Sequence, residues 1–153
     1  MSAMKTKTHL ITALTPELYC TNINVSLPFY TQVLGFKVQY QREEERFAML
    51  ERQGSRIMLD QIVPGSARTW LLAPLEAPFG RGINLQIQTD QIDEFYGRVQ
   101  KAGTLVFLPL EDKRYRCDDV FLGNRQFVVQ DPDGYLLRFF EDLRERKSDL
   151  PFA

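Results

Sequence analysis

Two stretches of the chain repeat one plan. "LYCTNINVSLPFYTQVLGFKVQY" (18–40) and "LQIQTDQIDEFYGRVQKAGTLVF" (85–107) each run from a short strand through a polar capping step into a helix containing Phe-Tyr, then a Gly and another strand. Internal repetition constrains a fold more than a single motif does, because both copies must bury the same pattern of side chains. In the first helix Leu27, Tyr30 and Leu34 fall at i, i+3 and i+7; in the second Ile92, Phe95, Val99 and Ala102 keep the same stripe. Asn22 or Asn24 can cap the first helix and Thr89 or Asp90 the second, Gly35 and Gly103 stand where helices end, and Pro28 is expected in a first turn. Strand candidates follow each helix: 36–41, 46–52 and 55–62, with "RQGS" as a turn between the last two, then 104–110, 125–130 and 135–141. The order is strand, helix, three strands, twice over. That predicts an α+β chain of two tandem βαβββ modules, at about 14–62 and 82–142. A Pro- and Gly-rich linker at 63–81 joins them, with an N-terminal extension at 1–13 and a tail at 143–153.

At 153 residues, 44% hydrophobic and 25% charged, the chain has the balance of one ordinary globular domain. A net charge of −1 offers no basic field for nucleic acid or anionic membrane. The alternating run "EDKRYRCDD" (111–119) reads as a solvated loop, no apolar stretch approaches the length of a membrane helix, and the N-terminus lacks a continuous signal-peptide core. Cys20 and Cys117 are distant and unpaired in pattern, which suits a reduced, cytoplasmic setting and plain thiols without an adjacent base. His9 is the only histidine. Metal sites built on two or more histidines of one chain are thereby excluded, and residues 1–13 are expected to fray or to be exchanged with a neighbour.

The segment "DPDGYLLRFFED" (131–142) is a tight turn between two strands: Pro132 fixes φ at the second turn position and Gly134 takes the positive φ that follows. Alternation then sets Leu136, Arg138 and Phe140 on one face and Tyr135, Leu137 and Phe139 on the other. A guanidinium on so apolar a strand needs a carboxylate, a ligand or a route to water.

With "NVSLPFYTQVLGF" in the first half and "DQIDEFYGRVQKAG" followed by "DPDGYLLRFFE" in the second, the chain resembles the vicinal oxygen chelate superfamily of glyoxalases, bleomycin-resistance proteins and extradiol dioxygenases, from about Leu14 to Asp142. The resemblance implies a curved mixed sheet with a concave cleft. Enzymes of that superfamily hold a divalent metal there with His and Glu side chains. Carried over one at a time, those positions fall at Thr15, at Leu59 or Asp60 depending on register, at Asn84 and at Arg138. Such a set lacks imidazole and puts a cation where the enzymes have a carboxylate, so no metal, no cofactor and no catalytic residue is expected.

What the resemblance then implies is the metal-free condition of the bleomycin-resistance branch: a homodimer that sequesters a partly aromatic organic ligand in a groove between subunits. The alternative is a lyase or isomerase of the same fold with an unusual or absent metal. The candidate ligand contacts are Arg138, Asp60, Phe47, Phe121, Trp70 and Tyr115. Arg138 is open to two readings, a salt bridge such as one with Asp60 across the barrel, or a fork for a ligand carboxylate or phosphate. Asp60 is either that partner or an acidic contact for a cationic ligand. Phe47 matches the aromatic that drug-binding relatives carry on the third strand, although core packing explains it too. Where those relatives tend to have a Trp before the Gly, this chain has Leu122, with Phe121 beside it in what reads as a loop, along with Tyr115. Trp70 is either a lid over the groove or packed on its own module.

Overall fold

A computed structural model of the chain describes residues 9–66 and 69–144. The first module runs β1 (Glu17–Cys20), α1 (Ile23–Pro28, continuing as a π-helix over Phe29–Val33), β2 (Lys37–Arg42), β3 (Phe47–Arg52) and β4 (Ser55–Gln61). The second runs β5 (Asn84–Gln88), α2 (Ile92–Lys101), β6 (Val106–Cys117), β7 (Val120–Gln130) and β8 (Leu136–Asp142). Each makes one four-stranded mixed sheet of the same topology, β1-β4-β3-β2 and β5-β8-β7-β6, with the first strand parallel to the last and the others antiparallel. The duplication expected from sequence is therefore repeated strand for strand.

Local chemistry explains most element ends. Asn22 caps α1, its side-chain oxygen accepting from Asn24 N at 3.0 Å. Gln53 and Gly54 both adopt positive φ in the β3–β4 turn, as a tight hairpin demands. Four expectations are corrected. Pro28 is the sixth residue of α1 rather than part of its first turn, and the helix widens to π geometry immediately after it, where proline supplies no N–H. The α2 cap is neither Thr89 nor Asp90: Gln91 occupies that position at φ 50°, and the Ile92 N–H is satisfied instead by the Glu141 carboxylate of β8. Ala102, the last residue of the α2 stripe, is exposed at the end of the helix, while Ile92, Phe95 and Val99 are buried. The run 111–119 is not a loop but the outer part of β6 and its turn, paired with β7 from Glu111–Gln126 to Cys117–Val120. Charged side chains are tolerated there because β6 is the edge of its sheet and, from Arg114 onward, the ribbon extends past β8, whose pairing with β7 stops at Asn124.

One core serves both modules. Leu18, Tyr30, Leu34, Leu50 and Leu59 of the first pack in the same cluster as Ile87, Phe95, Phe127, Leu137 and Phe139 of the second. Phe95 meets Phe139 edge-on at 4.8 Å and Phe127 at 5.3 Å. Buried Arg52 crosses the junction, its guanidinium carbon 4.3 Å above the Phe95 ring and its Nε donating to the Leu34 carbonyl at 2.8 Å.

The 131–134 turn is the polar half of the junction. One Asp131 oxygen accepts the backbone N–H groups of Asp133, Gly134 and Tyr135, each at 2.9 Å, and the other accepts the Tyr30 hydroxyl at 2.9 Å. Asp133 accepts from the Thr21 hydroxyl, and the Tyr135 hydroxyl donates to the Tyr19 carbonyl at 2.9 Å. Gly134 sits at φ 107°, and a Cβ there would lie 2.4 Å from Pro78 Cβ and 2.9 Å from Phe79 N.

Burial holds the Asp131 carboxyl above the usual carboxylate range despite hydrogen bonds that favour the anion. A raised folded pKa means that the folded chain holds the proton longer, so this contribution is present below the unfolded value and is lost as pH rises through the folded one. Thermal melts of Asp131→Asn and the parent from acid to neutral pH should show the variant gaining relative stability across that window. Asp131→Ala, which strands the Asp133 and Tyr135 N–H groups and the Tyr30 hydroxyl while Gly134 N–H keeps the Asp131 carbonyl, should cost at least ~2 kcal/mol in denaturant titration.

Candidate functional site

With one face of each sheet committed to the shared core, the opposite faces form two clefts. In the first module alternation buries Leu18 and Leu59 and turns Tyr19 and Asp60 to the other side, which settles the register left open between Leu59 and Asp60. The cavity there, about 430 Å³, is lined by Glu17, Glu44, Glu45, Asp60, Arg42 and the Tyr19–Trp70 pair among others. Trp70 of the linker lies flat on Tyr19, ring centres 3.9 Å apart and planes at 15°, and its backbone N–H reaches the Tyr19 hydroxyl at 3.3 Å. Tyr19 is 4% exposed and Trp70 48%, so the outer aromatic face is offered to the cavity mouth. Trp70 thus packs on its own module, at the edge of the first cleft. Arg42 is engaged by Glu45 at 2.6 Å, which raises its pKa, and lies 3.9 Å over the Phe47 ring.

The second cleft has a different character. Gln86 is the register partner of Arg138 on β5, and Tyr115 that of Leu122 on the β6–β7 ribbon. With Gln88, Asn124, Phe140, Asp142 and Arg144 they line a cavity of about 460 Å³. Arg138 donates from Nη2 to Gln86 Oε1 at 2.7 Å and makes a long 3.5 Å contact from Nη1 to the Tyr115 hydroxyl. That hydroxyl donates to buried Gln126 at 3.1 Å, whose Nε2 donates to Glu111 at 3.0 Å.

The residues singled out in the sequence therefore fall in separate places. Arg138 and Tyr115 share the second cleft; Asp60 and Trp70 share the first. No Arg138–Asp60 bridge forms, because each side chain stands on the cleft face of its own sheet and Arg138 turns to Gln86 and Tyr115. Phe47 is buried and lines a third cavity, of about 780 Å³, between the start of α1 and β3. Phe121 is on strand β7 rather than in a loop; alternation sends it outward, 57% exposed beneath Arg114, while Leu122 faces the cleft. Tyr115 likewise stands on β6. Tyr19 and Gln86 were missed, although the period-2 alternation of β1 and the pairing of β5 with β8 carry the signal for both. His9, at the start of the described residues, lies with its ring centre 5.6 Å from that of Tyr40.

The positions at which the resemblance would hold a metal do not suit one. Thr15, Asp60, Asn84 and Arg138 offer one carboxylate and a guanidinium already bonded to an amide oxygen, and among the described residues no three His, Cys, Asp or Glu side chains gather as a metal-holding group. Burial pushes the Cys20 thiol up to about 12, far from a reactive thiolate; Cys117 is exposed and also free.

Comparison with known proteins agrees with this architecture. The family model of the glyoxalase/bleomycin resistance protein/dioxygenase superfamily matches residues 9–139, and the chain belongs to that superfamily. Bleomycin resistance proteins of Geobacillus stearothermophilus and Staphylococcus aureus are each 27% identical over 137 residues, covering 84% of this chain and 96% of theirs. The fold matches TioX from Micromonospora sp. ML1 at 22% identity and TM-score 0.64, covering 85% of this chain and 98% of TioX. It also matches the Vibrio cholerae integron cassette protein VCH_CASS1 at 20% identity and TM-score 0.62, covering 88% and 98%. No helix among the described residues is long and apolar enough to cross a membrane.

Since Trp70 is the only tryptophan, its emission reports the stack directly. Tyr19→Ala should make that emission markedly more quenchable by acrylamide, with the far-ultraviolet circular dichroism unchanged.

Proposed function

We propose that this chain is a small-molecule-binding protein of the bleomycin-resistance type, which holds a partly aromatic organic ligand without transforming it. The observation that carries the reading is the Tyr19–Trp70 stack, half open to solvent above a cavity whose described lining includes Glu17, Glu44 and Asp60 beside the Arg42–Glu45 ion pair. A flat π-face beside carboxylates favours a planar group that carries positive charge. The 27% identity to bleomycin resistance proteins over most of both chains supports the same class of ligand. Protection follows from mass action alone, since a bound drug is not free to act.

The working unit is a homodimer in a reducing cytoplasm. Leu105, Phe107, Val120 and Phe121 are more than half exposed along β6 and the ribbon end, apolar surface that a second copy can cover. Two free cysteines suit a reducing compartment. In such a dimer the groove combines Asp60 and Trp70 with Arg138 and Tyr115, while Phe47 and Phe121 act from its margins.

Isothermal titration with a bleomycin-type glycopeptide should give saturable binding near one site per chain, accompanied by a change in Trp70 emission. Asp60→Asn with Trp70→Ala should lower the affinity at least tenfold, about 1.4 kcal/mol. Absence of binding by this glycopeptide and by a panel of aromatic cations would overturn the reading. Sedimentation should return a species of twice 17.8 kDa.

A further inference from the structure

The second cleft holds a cation that no carboxylate among the described residues pairs with. Arg138 carries a fork of five N–H donors. Among the described residues two contacts engage it, one to the neutral Gln86 amide and one long contact to the Tyr115 hydroxyl, and its Nε is buried with no acceptor among them. The carboxylate among the cavity's lining residues, Asp142, is already taken: Arg144 donates to both of its oxygens, and this pairing holds the Asp142 carboxyl below its ordinary range. Among the described lining residues, Asp142 is thus matched by Arg144, and Arg138 is the cation that no carboxylate of the lining engages.

The rest of the lining suits one type of guest. Gln88 and Asn124 supply amide groups, while Phe140, Leu122 and the Tyr115 ring supply apolar walls within a space of about 460 Å³. Gln86 holds one edge of the guanidinium, and Tyr115 is itself fixed through Gln126 to Glu111, so the fork is oriented before anything binds.

We infer that the second-module cleft is a binding site for an organic carboxylate with a flat apolar body, received by the Arg138 guanidinium and oriented by Gln86 and Tyr115. The site extends the ligand-binding reading above by adding an anion-selective half to a protein whose first cleft favours cations. A ligand reaching both clefts would carry both charges.

The test uses 2-naphthoate and its uncharged counterpart 2-naphthamide on the full-length protein, by calorimetry and saturation-transfer NMR. The acid should bind at least tenfold more tightly than the amide. Arg138→Gln should abolish that preference, Arg138→Lys should restore part of it, and neither should change the oligomeric state. Equal binding of acid and amide, binding of neither, or undiminished preference in Arg138→Gln would overturn the inference. Should Arg138→Gln not fold, the acid–amide comparison on the parent protein still decides. The result is separable from that with the glycopeptide: naphthoate can bind through Arg138 whether or not the cationic drug is taken up.

Discussion

A single buried carboxylate organises this molecule. Asp131 gathers three backbone N–H groups of its own turn and the hydroxyl of Tyr30 from the other module, so the geometry of the second module's last hairpin and the docking of the first are fixed by the same two oxygens. A carboxylate buried this far is costly unless its acceptor sites are filled, and here they are. The adjacent Gly134 leaves room for Pro78 and Phe79 of the linker, so that segment too is threaded past the turn. Because docking uses one face of each sheet, the other two faces are left open, and both clefts follow from that choice.

Much of this was legible in the sequence because the determinants are local. The helix stripes, the glycine ends, the Asn22 cap and the 131–134 turn each depend on a few neighbouring residues, and their repetition revealed the two modules. Other features depend on partners far along the chain. Nothing near Ile92 announces that Glu141 will satisfy its N–H, and nothing near Arg52 announces a perch on Phe95. Charge alternation at 111–119 resembles solvated chain, yet an edge strand that runs on past its third strand from Arg114 keeps its pairing while its charges reach water. Phe121 was misplaced for the same reason: once the segment is a strand, alternation gives the cleft to Leu122.

For the candidate site, the sequence identified side chains worth following but not their grouping. A bridge between Asp60 and Arg138 across the barrel is one reading of the sequence, and the structure puts both on cleft faces of equivalent strands. The equivalence is also why they do not meet, since duplication gives each its own sheet. The consequence is chemical asymmetry within a symmetric architecture. One cleft pairs an aromatic stack with carboxylates, and the other pairs a guanidinium with amides.

The most direct measurement is a crystal structure grown with a bleomycin-type glycopeptide. The expected density places a planar portion of the ligand against the Tyr19–Trp70 pair, about 3.5–4 Å from a ring face, with its cationic portion toward Glu17 and Asp60. Ligand density confined to other surfaces, with the Tyr19–Trp70 stack and both clefts unaltered, would contradict it.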